Sequence, residues 1–320
     1  MGKRVLVTGA AGFLGSHLVQ HHLSQGDVVY GIDNFSSSTR DSHHHSCLIE
    51  NNNYHFLEGD ICSSSFVERS KRFDLDLIYN FACPASPPKY QELPVETTLT
   101  CTLGTYNVFS IAKRTTVVIH ASTSEVYGDP TVSPQPESYR GFVNSYGPRS
   151  CYDEGKRVAE ALCYDFKNKL NKDIRLVRIF NTYGPQMDIN DGRVITNFIG
   201  QALRDEPLTI YGDGSQTRSF CYVTDLIKGI TSLANLEKNP DTPINIGNPS
   251  EFTILDLAKK LQKRFSCSLD FRSLPVDDPL QRKPDITLAK SLLSWRPQVE
   301  LDEGLDKTIQ HFRTTGKYLK

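Results

Sequence analysis

Short runs of apolar residues alternate with longer amphipathic stretches through the first half of the chain. The apolar runs predict strands over residues 3–8, 28–32, 54–57, 75–81, 117–122 and 175–180. Apolar positions spaced three and four residues apart predict a helix after the first strand and further helices over 95–113 and 151–170. Strands and helices that alternate in this way form βαβ units, so we predict an α/β fold built on a parallel sheet.

The pattern loosens after residue 180, where loops rich in glycine and proline separate shorter helices such as 253–265. We therefore predict a first domain over residues 1–180 and a smaller C-terminal domain over 181–320 that covers a ligand. Some later segments, at about 218–248, are expected to return to the first domain. The polar stretch 36–53 is predicted to be a surface loop or a short helix.

Charge and composition exclude several classes of protein. The 320 residues carry a formal net charge of −1, with acidic and basic residues mixed along the chain, which argues against a nucleic-acid binder. No apolar run approaches the roughly 20 residues that cross a bilayer. The first predicted strand begins at residue 3, which leaves no room for a signal peptide. We expect a cytoplasmic protein that has no membrane partner.

Eight cysteines and a run of three histidines are the candidates for redox or metal chemistry. The cysteines form no C-x-x-C pair and are sparse for this length, which predicts reduced thiols, most of them small buried apolar residues. The histidines at 43–45 are consecutive, so their side chains point in different directions, and no second cluster accompanies them. We predict a solvated loop there and no metal site.

Three glycines follow the first predicted strand in the string V-T-G-A-A-G-F-L-G over residues 7–15. Gly9 permits a tight turn, Gly12 lets the backbone approach a pyrophosphate, and Gly15 lets the helix pack closely on the strand. The N-terminus of the helix favours an anion, so Phe13 and Leu14 belong to the same predicted site. The alternative is a structural turn without a ligand, which the flanking strands and helix disfavour.

An acidic residue closes the second predicted strand. Asp33 lies near the spacing at which a carboxylate accepts from the ribose hydroxyls of a dinucleotide, and its charge would repel a 2′-phosphate. The predicted cofactor is therefore NAD, held by a Rossmann-type, doubly wound domain. We assign Asn34, Asp60, Ile61 and Ala82 to the same cofactor site. Asp60 is predicted to contact the adenine, and a plain loop carboxylate is the alternative.

Tyr152 and Lys156 are four residues apart on a predicted helix, which places them on one face. The Lys156 ammonium can then stabilise the Tyr152 phenolate, which predicts a base near neutral pH although an unperturbed phenol titrates near about 10. Thr123, at the end of a predicted strand, can bond the same substrate hydroxyl. The alternative is a surface Tyr–Lys pair, which the upstream glycines disfavour.

These two motifs together resemble the extended short-chain dehydrogenase/reductase family. Longer strings narrow the resemblance to its UDP-glucuronate decarboxylases, also called UDP-xylose synthases, and the match runs from residue 3 to about residue 312. The proline-rich loop at 84–88 and the string R-K-P-D at 282–285 are the most specific. The other strings are N-F-A-C-P-A-S-P-P-K-Y at 80–90, S-E-V-Y-G-D-P at 124–130, G-P-R-S-C-Y-D-E-G-K-R at 147–157, R-I-F-N-T-Y-G-P at 178–185, D-G-R-V at 191–194, Y-G-D-G-S-Q-T-R at 211–218 and D-D-P at 277–279.

The resemblance implies a lyase that acts on UDP-glucuronate. Tyr152 takes the proton of the sugar 4-hydroxyl as hydride passes from C4 to NAD, and the resulting β-keto acid loses carbon dioxide. Glu125 corresponds to a carboxylate beside the reacting carbons, with a role in ring distortion or proton transfer. Arg282 corresponds to an arginine that binds the sugar carboxylate and stabilises the enolate after its loss. NADH then returns hydride to C4, which gives UDP-xylose and regenerates NAD.

The resemblance also implies the substrate site and the assembly. Arginines suit a diphosphate because they form bidentate hydrogen bonds. The helices at 95–113 and 151–170 are implied to form a four-helix interface of a homodimer, although amphipathic helices can equally pack inside one subunit. The residues implied to line the sugar-nucleotide site are Lys89, Tyr90, Asn181, Arg193, Tyr211, Arg218 and Arg282.

The sequence departs from the family pattern just before the predicted Tyr152 helix. Arg140 stands where the family has tryptophan, and Ser145 and Tyr146 stand where it has Pro-Ile. Gln186 replaces a usual arginine. These changes bear on the choice of substrate and leave the acid–base residues intact.

Two other reactions of the same fold, 4-epimerisation and 4,6-dehydration, begin with the same oxidation at C4. A dehydratase has Asp-Glu after the threonine, whereas Thr123 is followed here by Ser124 and Glu125. An epimerase has no need of Arg282 facing a carboxylate. A protein of another class, a sensor or scaffold that binds NAD without turnover, is disfavoured by the full set of Thr123, Tyr152 and Lys156.

Overall fold

The computed structural model describes residues 2–38, 40, 43–273 and 281–315. The string at 277–279, cited above for the resemblance, lies outside these residues, as do the side chains of His43 and His44. Among the residues that the structure describes, no helix is long and apolar enough to cross a membrane. Within the same ranges, no group of three or more His, Cys, Asp or Glu side chains is arranged to hold a metal ion.

The strands are, in chain order, β1 (Arg4–Thr8), β2 (Val28–Asp33), β3 (Tyr54–Glu58), β4 (Leu77–Asn80), β5 (Val117–Thr123), β6 (Asp173–Ile179), β7 (Thr182–Tyr183), β8 (Leu208–Tyr211), β9 (Thr217–Ser219), β10 (Cys221–Tyr222), β11 (Ile244–Ile246), β12 (Glu251–Thr253), β13 (Leu269–Arg272) and β14 (Gln281–Arg282). The helices are α1 (Phe13–Ser24), α2 (His43–Ile49), α3 (Ser64–Ser70), α4 (Pro87–Glu92), α5 (Pro94–Leu99), α6 (Thr105–Ile111), α7 (Ser150–Leu170), α8 (Val194–Leu203), α9 (Val223–Ala234), α10 (Ile254–Gln262), α11 (Thr287–Leu293) and α12 (Leu301–Thr315). A π-helical turn (Thr100–Gly104) joins α5 to α6, and a 3-10 turn (Ser124–Tyr127) follows β5.

The described residues form a seven-stranded sheet in the order β11-β6-β5-β4-β1-β2-β3, and every neighbouring pair is parallel. The six strands predicted from apolar runs are all present, and their ends lie within two residues of the predicted ones. The order reverses at β1, as in doubly wound folds. The predicted Rossmann-type fold is therefore confirmed. The strand β11 comes from the late segment that was expected to return to the first part of the chain.

Strand β1 shows why the sheet is covered on both faces. Val5 and Val7 are fully buried in the larger apolar core, which helices α1 and α9 cover. Leu6, the residue between them, is fully buried in a second core with Phe66 and Phe109 from α3 and α6. Successive side chains of a strand point to opposite faces, so a run of apolar residues requires a core on each side.

The predicted helix at 95–113 is present but is interrupted by the π-helical turn. Thr97, Thr98, Thr100 and Thr102 each donate their hydroxyl to the carbonyl four residues earlier. Such side-chain bonds compete with the helical N–H groups for the same carbonyl oxygens and bend helices. The run of four such threonines lies where this helix departs from regular α geometry and is consistent with that departure.

A smaller set of strands lies beyond the carboxyl ends of the main sheet. Strand β9 pairs with β12 in antiparallel and with β14 in parallel orientation. The register places Arg282 of β14 directly beside Arg218 of β9. Ligands of open α/β sheets bind outside the carboxyl ends of the strands, so this arrangement brings two arginines to the expected position.

Candidate active site

A cleft of about 820 Å³ lies between the carboxyl ends of the main sheet and the smaller strands. It is large enough for a sugar nucleotide or a dinucleotide to be substantially enclosed. The sequence-predicted residues that line it are Gly9, Gly12, Phe13, Leu14, Gly15, Asp33, Asn34, Asp60, Ile61, Ala82, Tyr90, Thr123, Glu125, Tyr152, Lys156, Asn181, Arg193, Tyr211, Arg218 and Arg282.

Lys89 and the segment 140–146, two parts of the sequence that were expected to bear on the substrate site, do not line this cleft. Lys89 is absent from the described lining of the cleft, and its ammonium pairs with Glu92 at 3.0 Å on α4. The segment 140–146, where the sequence departs from the family pattern, is also absent from the lining that the structure describes. The Tyr146 side chain is 96% exposed. The departure that was expected to affect substrate choice therefore lies outside the cleft wall, whereas Gln186 lies on it.

The glycine turn has the geometry that a pyrophosphate needs. Gly9 has a φ of +71°, a left-handed conformation that favours glycine. A Cβ on Gly15 would overlap the Gly9 carbonyl oxygen, so this helix can approach the turn only without a side chain there. No side chain caps the N-terminus of α1 at Gly12, which leaves backbone N–H groups directed at the cleft. These features fit an anionic ligand.

Asp33 holds the glycine turn against the end of β2. Its two carboxylate oxygens accept the backbone N–H of Ala11 at 3.0 Å and of Phe35 at 2.8 Å, and the Ser38 hydroxyl at 2.9 Å. One oxygen accepts only the Ala11 bond among these contacts and retains a lone pair for a ribose hydroxyl. Asp33 therefore stabilises the glycine turn and keeps an acceptor position for the predicted ribose contact.

Asp60 lies on the loop after β3 and lines the cleft. One of its oxygens accepts the Cys62 N–H at 2.8 Å, and the other accepts the Asn34 amide at 3.4 Å. These bonds are those of a turn carboxylate, and Asp60 lines the cleft at the same time. The geometry is compatible with both interpretations of Asp60, the adenine contact and the loop carboxylate.

Tyr152 and Lys156 are buried together on α7, on the wall of the cleft. The Lys156 ammonium donates to the Ala121 carbonyl at 2.8 Å and lies 5.8 Å from the centre of the Tyr152 ring. The Tyr152 ring stacks on Tyr90 with centroids 5.0 Å apart and an interplanar angle of 7°. Thr123, whose side chain lowers the pKa of the Tyr152 phenol, completes the group. The predicted acid–base residues are therefore brought together.

Burial is the dominant influence on Tyr152 and raises the pKa of its phenol to about 12, although the Lys156 charge and the Thr123 side chain act in the opposite direction. Lys156 therefore lowers the pKa of this phenol, in the predicted direction, but its effect is smaller than that of burial in the protein without its ligands. The role of Tyr152 as a base stays a prediction.

Glu125 sits between two arginines. Its Oε2 accepts from Arg149 Nη2 at 2.6 Å and from Arg282 Nη2 at 3.2 Å. Burial alone would raise its pKa, but Arg282 and then Arg149 lower the pKa of Glu125 to about 2. Glu125 therefore remains a carboxylate at neutral pH. This favours a role in orienting its neighbours and disfavours proton donation by Glu125.

Arg149 was not assigned a role from the sequence. It precedes α7, lines the cleft beside Glu125, and its guanidinium carbon lies 5.9 Å from the centre of the Tyr90 ring. The string at 147–157 contained Arg149, and its place three residues before Tyr152 was the only signal. It adds a second arginine to the end of the cleft where Arg282 was expected.

Two buried polar atoms on the cleft wall, Arg282 Nε and Tyr90 Oη, have no hydrogen-bond partner among the described residues. The cost of leaving a buried donor unpaired is about 1–3 kcal/mol, and more for a charged group. Tyr90 stacks on Tyr152, and Arg282 bonds to Ser124 and Glu125, which follow Thr123. A ligand with oxygen acceptors at this position would satisfy them, so the wall fits an anionic, hydroxyl-bearing molecule.

Asp153, next to Tyr152 on α7, is 7% exposed. Burial, followed by the charge of Glu125, raises the pKa of Asp153 from 3.8 to about 7. Between pH values of about 4 and about 7, Asp153 is protonated in the folded chain and ionised in the unfolded chain. Asp153 therefore lowers the free energy of unfolding as pH rises through this range. The slope is at most about 1.4 kcal/mol per pH unit.

We expect Asp153→Asn to remove this dependence, because asparagine does not titrate. Urea unfolding at about pH 5 and about pH 7 measures it: the variant should gain stability over the wild type as pH rises. Asp165→Asn, at an exposed position of the same helix, is the matched control and should leave the wild-type trend unchanged. An identical pH trend for wild type and Asp153→Asn would contradict the raised pKa.

Comparison with known proteins gives a consistent result. Residues 5–247 match the NAD dependent epimerase/dehydratase family. UDP-glucuronic acid decarboxylase 2 of Arabidopsis thaliana is 49% identical over 317 residues, which are 98% of this chain and 68% of the relative. UDP-glucuronic acid decarboxylase 1 of Danio rerio is 48% identical over 313 residues, which are 97% of this chain and 72% of the relative.

Solved structures share the fold over nearly the whole chain. UDP-glucuronic acid 4-epimerase from Bacillus cereus, in complex with UDP-glucuronic acid and NAD, is 30% identical with a TM-score of 0.85, covering 98% of this chain and 99% of that one. UDP-glucose 4-epimerase from Thermotoga maritima is 28% identical with a TM-score of 0.88 and the same coverage. The chain therefore belongs to the NAD dependent epimerase/dehydratase family and, within it, to the group of the UDP-glucuronic acid decarboxylases.

Proposed function

We propose that this chain decarboxylates UDP-glucuronate to UDP-xylose through a 4-keto intermediate. The observation that carries the proposal is the buried Arg282, which faces the cleft beside Glu125 with an Nε that has no partner in the described part of the chain. A sugar carboxylate is a natural ligand for such a guanidinium. The similarity to decarboxylases over nearly the whole chain supports the same substrate.

The reacting sugar lies, in this proposal, between Tyr152 and Arg282. Tyr152 removes the proton of the 4-hydroxyl, and Thr123 orients that hydroxyl. Lys156 stabilises the phenolate through its charge, which acts in this direction on the pKa of Tyr152. The glycine turn, Asp33 and the other cofactor residues predicted above would hold NAD. Bound there, it would supply a reversible hydride acceptor for C4, so that no net oxidation results.

Arg282 binds the sugar carboxylate and stabilises the negative charge left after carbon dioxide departs. Preorganised donors of this kind are worth about 100- to 1,000-fold in rate. Glu125, held as a carboxylate, fixes the guanidinium groups of Arg282 and Arg149 by hydrogen bonds. Asn181, Arg193, Tyr211 and Arg218 lie along the remaining wall of the cleft and would hold the UDP part.

The domain division, the assembly and the compartment belong to the same proposal. Residues 1–180, with the segment at 218–248, bind NAD, and the rest mainly binds the UDP-sugar. A homodimer is supported by apolar side chains exposed on α5 and α7, among them Val95 at 65%, Leu99 at 45% and Val158 at 45%. A cytoplasmic location is supported by the absence of disulfides, since all eight cysteines are free thiols.

Incubating the purified chain with UDP-glucuronate and NAD tests the proposal. We expect mass spectrometry to show UDP-xylose, which is the substrate less one carbon dioxide, and no accumulation of NADH. The Bacillus cereus relative is named for 4-epimerisation of UDP-glucuronic acid, so a product of unchanged mass that separates from the substrate would favour an epimerase. Bound NAD with no product at all would favour the sensor.

A further inference from the structure

Two cysteines, Cys83 and Cys101, lie close together beside the wall of the cleft that carries Tyr152. Cys83, on the loop after β4, lines the cleft, and its Sγ lies 3.5 Å from the Sγ of Cys101 in the π-helical turn. Cys101 is buried, with 2% exposure, whereas Cys83 is partly exposed. The proposed decarboxylation uses neither thiol. The pair joins the cleft to a helix segment that already departs from α geometry.

The surroundings favour a reactive thiolate at Cys83. The hydrogen bond with Cys101 and, after it, the charge of Lys156 lower the pKa of Cys83 to about 7, against the effect of burial. The same contact, and burial, hold the pKa of the Cys101 thiol well above its usual value. A low-pKa thiolate beside a resolving thiol is the arrangement found in redox-sensitive cysteine pairs.

We infer that Cys83 and Cys101 form a reversible disulfide when the chain meets hydrogen peroxide, and that this bond switches the adjoining catalytic wall off. The Cys83 thiolate attacks one peroxide oxygen, so that an S–O bond forms, the O–O bond breaks and the departing hydroxide takes a proton to become water. The Cys101 sulfur then attacks Cys83 Sγ, the S–S bond forms, the S–O bond breaks, and the Cys101 proton leaves with the second water. Both thiols are oxidised by one electron each and the peroxide is reduced by two.

The bond must change the cleft because the two sulfur atoms have to approach by about 1.5 Å to reach disulfide length. Cys83 is bonded directly to Ala82 and Pro84, which also line the cleft, so part of the wall moves with it. Oxidation also removes the Cys83 thiolate, whose charge raises the pKa of Tyr152 and of Lys156. Its removal would lower the pKa of the Tyr152 phenol, so the loss of turnover must come from the displacement of the wall. A displacement of about 1 Å in an active site can cost about 100-fold in rate.

The test treats the purified chain with hydrogen peroxide and then with dithiothreitol. We expect the oxidised wild type to lose two hydrogen atoms, and a peptide containing Cys83 to be linked to one containing Cys101. Turnover of UDP-glucuronate should fall at least about tenfold and return on reduction. Cys101→Ala should keep its basal turnover, form no such link and retain its turnover after peroxide treatment.

Cys151→Ser is the matched control, because the charge of Cys151 also acts on Cys101. The Cys151 Sγ lies 3.5 Å from the Tyr90 carbonyl oxygen and is therefore not expected to join the disulfide. It should oxidise and recover as the wild type does. A link to Cys151, no link at all, or a Cys83–Cys101 link with unchanged turnover would each overturn the inference. The turnover readout rests on the proposed function and the peptide link does not, so a chain inactive before oxidation would refute the function alone.

Discussion

Tyr152→Phe should lower turnover of UDP-glucuronate by at least about 1,000-fold while NAD affinity changes by less than about threefold. General acid–base groups contribute about 100- to 10,000-fold, and the phenylalanine ring keeps the stacking with Tyr90 while it loses the hydroxyl that is proposed to accept the 4-hydroxyl proton. Steady-state kinetics and titration calorimetry with NAD measure the two quantities separately.

Tyr90→Phe is the matched control for this experiment. Tyr90 is also buried, its ring forms the other half of the stack with Tyr152, and its hydroxyl has no partner among the described residues. Its loss should weaken substrate binding and raise KM, with kcat reduced less than about tenfold. Equal losses of kcat in the two variants would show that Tyr152 acts by packing, and the acid–base assignment would then be wrong.

The parts of this protein that are local in sequence were predictable from the sequence. The glycine turn, the predicted strands and the Tyr152–Lys156 spacing each depend on neighbours within one βα unit, where apolar periodicity and helix geometry decide the outcome. The part of the cleft that is predicted to bind NAD could therefore be located from the sequence. The helix at 95–113 is the exception, because a π-helical turn interrupts it near the threonines that bond back to the helix carbonyls.

The remaining parts depend on contacts between distant segments. Arg149 faces Glu125 because the start of α7 packs on the 3-10 turn after β5. Cys101 meets Cys83 because the π-helical turn lies beside the loop after β4. Lys89 matched the family motif, but its side chain pairs with Glu92 on its own helix. The pKa of Tyr152 could not be predicted from the spacing, because spacing reveals the nearby charge and does not reveal the burial that outweighs it.

Arg282→Gln should separate oxidation at C4 from decarboxylation. Tyr152, Lys156 and the glycine turn stay in place, so a single turnover should still produce an NADH signal, while formation of UDP-xylose should fall by about 100- to 1,000-fold. The reason is that glutamine cannot supply the charge that binds the carboxylate and stabilises the enolate. Stopped-flow absorbance of NADH and mass spectrometry of the quenched products measure the two steps.

The fold must be tested in the same variant, since Arg282 also donates to the Ser124 hydroxyl at 3.2 Å and to the Gly128 carbonyl at 3.1 Å. Lys283→Gln removes a neighbouring charge that pairs with Glu251 at 2.9 Å, and is the control for general loss of charge on this segment. It should leave both steps within about twofold of the wild type. Thermal unfolding and NAD affinity of Arg282→Gln should show a folded, cofactor-binding protein. If that folded variant forms UDP-xylose at the wild-type rate, Arg282 has no part in decarboxylation, and an arginine such as Arg149 must bind the carboxylate instead.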